Sequence, residues 1–110
     1  MSITVNIRYK GENGSALRFA KEMTDSGTVA KIRAEEGNLR YEYFTSLEDP
    51  ETILLIDSWK DQEAIDKHHD SQMMSVIMEL RNKYDLHMEV ERYLSDEEGV
   101  SKKDQAFIRK

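Results

Sequence analysis

From Ile3 to Tyr9 the chain alternates, with Ile3, Val5, Ile7 and Tyr9 on one side and Thr4, Asn6 and Arg8 on the other. A period of two belongs to a strand with one face on a core, so this segment predicts a first β-strand. Lys10-Gly11-Glu12-Asn13-Gly14 reads as a turn, after which Ser15 caps a helix whose Ala16, Leu17, Phe19, Ala20 and Met23 share one stripe to about Thr24. Asp25-Ser26-Gly27 interrupts it. Val29, Ala30, Ile32 and Ala34 then predict a shorter helical piece that stops at Gly37. A hairpin follows: Asn38 to Phe44 is rich in Tyr and Phe, Ser46 to Pro50 turns the chain, and Thr52 to Trp59 returns. Ile53, Leu54, Leu55 and Ile56 are continuously apolar, the pattern of a strand covered on both faces.

Asp61 caps a helix that reaches His69, with Ala64, Ile65 and His68 on neighbouring turns. Asp70-Ser71 breaks it before another helix from Gln72 to Tyr84, with a stripe of Met73, Val76, Ile77, Leu80 and Tyr84. Leu86, Met88, Val90 and Leu94 alternate with His87, Glu89 and Glu91 and predict a last, half-buried strand. Ser95 to Lys110 is polar and aperiodic apart from Ala106-Phe107-Ile108, so a domain over 1–95 and a tail over 96–110 are expected, the tail mobile or docked on a partner chain. Strand, helix pair, strand, strand, helix pair, strand is the order of an α+β, ferredoxin-like fold: a four-stranded antiparallel sheet with its helices on one face. The other face then lacks a cover. A third strand apolar on both sides predicts a second copy packed sheet to sheet, hence a homodimer.

Composition narrows the partners. The 110 residues fit one domain, and 38% hydrophobic against 35% charged residues is thin material for a large core, which again favours a partner chain. A net charge of -6 with no basic run argues against nucleic acid and anionic membrane as partners. With no cysteine there is no disulfide, no thiolate metal site and no Cys nucleophile. No stretch approaches the ~20 apolar residues of a membrane span, and the first ten residues lack the apolar run of a secretion signal, so a cytoplasmic location is expected.

Phosphate loops, GxGxxG turns, His-Glu-x-x-His helices and nucleophile elbows are all absent. What remains is a cluster of Asp57, Trp59, His68, His69 and Asp70 at the end of the third strand and on the following helix. Histidine titrates near neutrality, so one beside an aromatic wall is a natural proton carrier. His68 shares the helical phase of Ala64 and Ile65, toward the core, whereas His69 shares that of Gln62 and Asp66. His68 is the stronger candidate. Adjacent histidines diverge on a helix, so the pair offers no metal site. Trp59 is either a substrate wall or a core aromatic, Tyr41 and Tyr43 a packing pair or a pocket lining, and Met73, Met74 and Met78 core filler or an adaptable ligand surface. Asn6 and Arg8 face either solvent or a cavity beneath the helices.

Glu36-Gly37-Asn38-Leu39-Arg40-Tyr41-Glu42-Tyr43-Phe44, then Asp49-Pro50-Glu51, Asp57-Ser58-Trp59-Lys60-Asp61 and Ala64-Ile65-Asp66-Lys67-His68 together resemble the antibiotic biosynthesis monooxygenase family, over about residues 3 to 94. The resemblance implies a dimeric α+β barrel that oxidises a small aromatic quinol or phenol with O2 and uses no cofactor and no metal. It implies a catalytic set of His68 as base, Trp59 as wall and Asn6 as donor to developing oxygen charge. Asn38, Arg40, Tyr41, Tyr43 and Met73 would bind the substrate. Two alternatives share the fold: an isomerase of a phosphorylated signalling sugar, with Arg40 or Arg8 as phosphate partner, and a non-catalytic dimer that binds a small ligand.

Overall fold

The computed structural model describes residues 1–110. Strand β1 (Ile3–Lys10) is followed by helices α1 (Ser15–Asp25) and α2 (Thr28–Arg33), the hairpin β2 (Asn38–Thr45) and β3 (Thr52–Trp59), helices α3 (Gln62–His69) and α4 (Gln72–Lys83), strand β4 (His87–Leu94) and one helical turn, α5 (Lys102–Gln105). The strands form one antiparallel sheet in the order β2-β3-β1-β4, the α+β ferredoxin-like arrangement that the element order predicts.

Register decides which side chains face the helices. Ile3 lies opposite Trp59, Val5 opposite Asp57, Ile7 opposite Leu55 and Tyr9 opposite Ile53, while Tyr41 pairs with Asp57 and Tyr43 with Leu55. These residues line the helical side, where they meet Phe19, Met23, Ile32 and Ile77 in one core. Trp59, Tyr9, Tyr41 and Phe19 are its largest fully buried side chains. Each apolar side chain of this size contributes about 1.5–3 kcal/mol on burial, more than any exposed ion pair of the chain can supply.

Side chains one register step away point to the uncovered face. There Leu54 and Ile56 stay half-buried, Phe44 is exposed, and Asn6 and Arg8 stand beside them on β1. Arg8 pairs with Glu91 and Lys10 with Glu89 across the β1–β4 ladder, which makes that margin polar.

Two local expectations need correction. Gly14, at φ 80°, occupies the cap position of α1, and Ser15 is its first helical residue, with Oγ accepting the N–H of Glu12. β4 is exposed along its whole length and not half-buried, because it is the sheet edge beyond β1 and the helices leave its inner side open. The tail holds one helical turn at α5, whose Ser101 Oγ accepts the N–H of Asp104. No helix is long and apolar enough to cross a membrane.

No residue of α5 is buried, and Phe107 and Ile108 beyond it are exposed. Deleting Ala106 to Lys110 is therefore expected to leave the thermal midpoint unchanged in scanning calorimetry. A fall of several degrees would mean that Phe107 and Ile108 pack on another chain.

Candidate active site

Residues two apart on a strand share a face, so Asp57 and Trp59 at the end of β3 both turn toward the helices. The indole N–H donates to Asp57 Oδ1 at 2.6 Å. The chain then enters α3 within three residues, with Asp61 Oδ1 accepting the N–H of Ala64 as its cap. Ala64, Ile65 and His68 form the buried stripe of that helix. This lays the His68 ring on the Trp59 ring, centroids 4.7 Å apart and planes within 29°.

The other side of the imidazole is held from far away in sequence. Glu35, in the turn after α2, places Oε2 2.7 Å from His68 Nδ1. That turn reaches α3 only because residue 37 is glycine: at φ 84° its backbone is left-handed, and an added Cβ would lie 2.6 Å from the Ala64 Cβ. The Lys60 N–H donates to the Gly37 carbonyl and closes the contact.

Burial governs the protonation states. It pulls the His68 imidazole below its ordinary value, and the charge and hydrogen bond of Glu35 act in the opposite direction without reversing it. Asp57 is pushed from 3.8 to about 7, chiefly by burial, with Glu35 adding to the rise and the Trp59 N–H opposing it. Tyr9 and Tyr41 are raised for the same reason and remain phenols. No three His, Asp or Glu side chains converge as metal ligands would.

These groups line a cavity of about 260 Å³ between the sheet and helices α3 and α4. Eleven of its sixteen lining residues are hydrophobic, so a flat apolar ring suits it better than a sugar. Met88, Val90 and Arg92 of β4 form part of the lining, and since β4 is exposed the cavity opens along that edge.

Residues 2–80 match the family model described as antibiotic biosynthesis monooxygenase. The chain belongs to this family. A curated relative in Bacillus subtilis (strain 168), named "Putative monooxygenase YcnE", is 36% identical over 43 residues, a match that covers 39% of this chain and 45% of that protein. The chain thus spans less than half the length of the curated relative it matches. Among solved structures, a conserved protein from Methanosarcina mazei Go1 superimposes with a TM-score of 0.75 at 24% identity, covering 87% of this chain and 94% of that one. SnoaB, a cofactor-independent oxygenase from Streptomyces nogalater, gives a TM-score of 0.70 at 15% identity, covering 86% of this chain and 93% of that one. These likenesses carry the fold.

Within this family member, His68, Trp59 and Tyr41 all line the cavity. Tyr43 lies one register step behind, edge-on to Phe19 at 6.1 Å, with its hydroxyl 3.4 Å from that of Tyr41. Met73 packs half-buried against the core and its neighbour Met74 lines the cavity instead. Asn6 requires a larger correction. Its parity on β1 is opposite to that of Val5 and Ile7, which face the cavity, so it lies on the uncovered face and cannot donate to a ligand beside His68. Arg40 is likewise on that face, paired with Glu42, and Arg8 is paired with Glu91, so neither phosphate partner of the isomerase reading lines the cavity beside His68. Asn38 spends its amide on the carbonyls of Arg40 and Ser58 at the β2 edge of the sheet. His69 is exposed but reaches the cavity rim, its ring 5.9 Å from that of His68. Glu35, Arg81 and Arg92 carried no sequence signal as site residues, whereas Asp57 was visible as a carboxylate directly after an apolar run.

The sign of the Asp57 effect on stability follows from linkage. A carboxyl raised from 3.8 to about 7 takes up a proton on folding between those values, so its contribution is complete below about pH 4 and falls until about pH 7. Asp57→Asn removes this dependence. Relative to the parent, the variant is expected to gain stability through that window by at most about 1.4 kcal/mol per pH unit, measured by urea unfolding across the range. A pH-independent difference would show that Asp57 ionises as an ordinary carboxylate.

Proposed function

We propose that this chain is a monooxygenase that oxidises a small aromatic quinol or phenol with molecular oxygen, with His68 as the base. The observation that supports this reading is a buried imidazole stacked on an indole at an apolar cavity, with Nδ1 engaged by Glu35. With its Nδ1–H donated to Glu35, neutral His68 keeps the lone pair of Nε2 as a proton acceptor. Removal of a ring hydroxyl proton at Nε2 leaves an electron-rich phenolate, and Glu35 stabilises the imidazolium that forms. One electron passes from the phenolate to O2. The resulting superoxide and phenoxyl radical join at a ring carbon to form a C–O bond. Loss of the ring hydrogen and scission of the O–O bond then leave a carbonyl, and the imidazolium proton departs in water. For a hydroquinone the sum is hydroquinone plus O2 to hydroxyquinone plus water, a four-electron oxidation in which one oxygen atom enters the ring.

Trp59, Tyr41 and Met74 would enclose the ring, and burial in the low-dielectric cavity strengthens every polar contact made there. His68→Ala is expected to lower oxygen consumption with a panel of hydroquinones by roughly 10²–10⁴-fold, with the circular dichroism of a folded protein retained. His69→Ala should do far less. Undiminished turnover in His68→Ala would remove the proposed base.

The working unit in this reading is a homodimer joined through the uncovered sheet face. Half-buried Leu54 and Ile56 and exposed Phe44 support it. Light scattering at micromolar concentration is expected to give about twice 12.9 kDa. A monomer would refute this assembly.

A further inference from the structure

We infer that the aromatic ligand of this cavity carries an anionic substituent, a carboxylate or a phosphate ester, held at the mouth by Arg92 and Arg81. The inference rests on the aromatic-ligand reading above and names the class of ring compound it takes. Twenty-two acidic side chains against sixteen Lys and Arg give the chain a surplus of partners for its cations. Arg8, Lys10, Arg40, Lys60, Lys67 and Lys83 each lie within ion-pair distance of a glutamate. Arg18, Lys21, Lys31, Arg33, the tail cations and the two arginines at the cavity do not, and of these only Arg81 and Arg92 line the cavity. Arg92 donates through Nη2 to the neutral Gln62 Oε1 at 2.9 Å, and Arg81 through Nη1 to the Met88 sulfur at 3.6 Å. A guanidinium has five N–H donors in a planar fork suited to carboxylate and phosphate oxygens, so most of this capacity is unspent.

Their placement suits a ligand that enters from the β4 edge. Arg92 stands opposite Val5, which stands opposite Asp57, so the two residues share one row of the sheet, their backbones about 10 Å apart across two strand spacings. Arg92 therefore guards the end of the mouth nearest His68. Arg81 sits beside Met88 at the other end, about 13 Å along the strand. Asp57 is the only carboxylate of the lining, so the mouth is positive in a chain of net charge -6. A ring hydroxyl set against His68 leaves a substituent on the far side of the ring within reach of Arg92.

Trp59 is the only tryptophan and part of the cavity wall, so its fluorescence reads occupancy without turnover. The test titrates 6-hydroxy-2-naphthoate and 6-hydroxy-2-naphthamide, which share a ring system with the hydroxyl at one end and differ in charge at the other, together with inorganic phosphate as an anion without a ring. The naphthoate is expected to bind about tenfold more tightly than the amide, as one charge-assisted contact provides. Arg92→Gln should remove most of that preference and Arg81→Gln part of it, each lowering the affinity for the acid several-fold more than that for the amide, whose carbonyl accepts only a neutral hydrogen bond. Equal binding of acid and amide, or a preference that survives both substitutions, would overturn the inference. So would phosphate binding as tightly as the naphthoate, because the ring would then contribute nothing. Selective naphthoate binding without oxygen uptake by any anionic quinol would refute the monooxygenase reading and leave the anion site standing. If neither naphthalene binds, the cavity is not an aromatic site and both fail.

Discussion

The stack of His68 on Trp59 ties the helical layer to the sheet at the one place where this fold buries ionisable groups together. A buried indole N–H without an acceptor costs on the order of 1–3 kcal/mol, and here the acceptor is a carboxyl of the same strand. That carboxyl is itself taken from water and loses its preference for the charged form. The imidazole covering the indole is desolvated in turn, and Glu35 from a different part of the chain restores part of what it loses. Each group is thus set by its neighbour. Moving the indole would release Asp57, expose His68 and leave Glu35 without its partner.

A glycine makes the arrangement possible. The turn carrying Glu35 and the helix carrying His68 approach so closely at Gly37 and Ala64 that no Cβ fits between them, and the same glycine has the backbone sign that other residues adopt at a cost of about 1–3 kcal/mol. The loop between α2 and β2 therefore acts as a rigid support: its carbonyl is bound by Lys60 and its side chain orients an imidazole.

Much of this fold was legible in the sequence, because the periods of β1, α1, β3 and α4 are produced by the core they build. The His68 side of the site was legible for the same reason, since helical phase places position 68 with Ala64 and Ile65 toward the sheet. Parity is less informative than phase. Alternation along Ile3 to Tyr9 divides the strand into two faces, but whether Asn6 meets a cavity depends on which face the helices cover, and they cover that of Val5 and Ile7. Glu35 was out of reach altogether. It lies 33 residues from His68 in a stretch of charged residues, and only the packing of the turn after α2 against α3 brings the two together.

The charges of the cavity grade from its depth to its mouth. At depth the ionisable groups are a histidine kept neutral by burial and an aspartic acid poised near neutrality, so a ring hydroxyl entering there meets a proton acceptor and no competing fixed anion. At the mouth both fixed charges are positive and solvent-facing β4 lets them keep much of their hydration. A phenolate formed at depth would then face an imidazolium, itself paired with Glu35, on one side and the field of two guanidinia on the other. Coulomb attraction at several ångströms is worth several times more in such surroundings than in water, so the same placement that selects an anionic ligand also favours ionisation of its hydroxyl. An edge strand left uncovered by helices thereby serves both ligand entry and charge stabilisation.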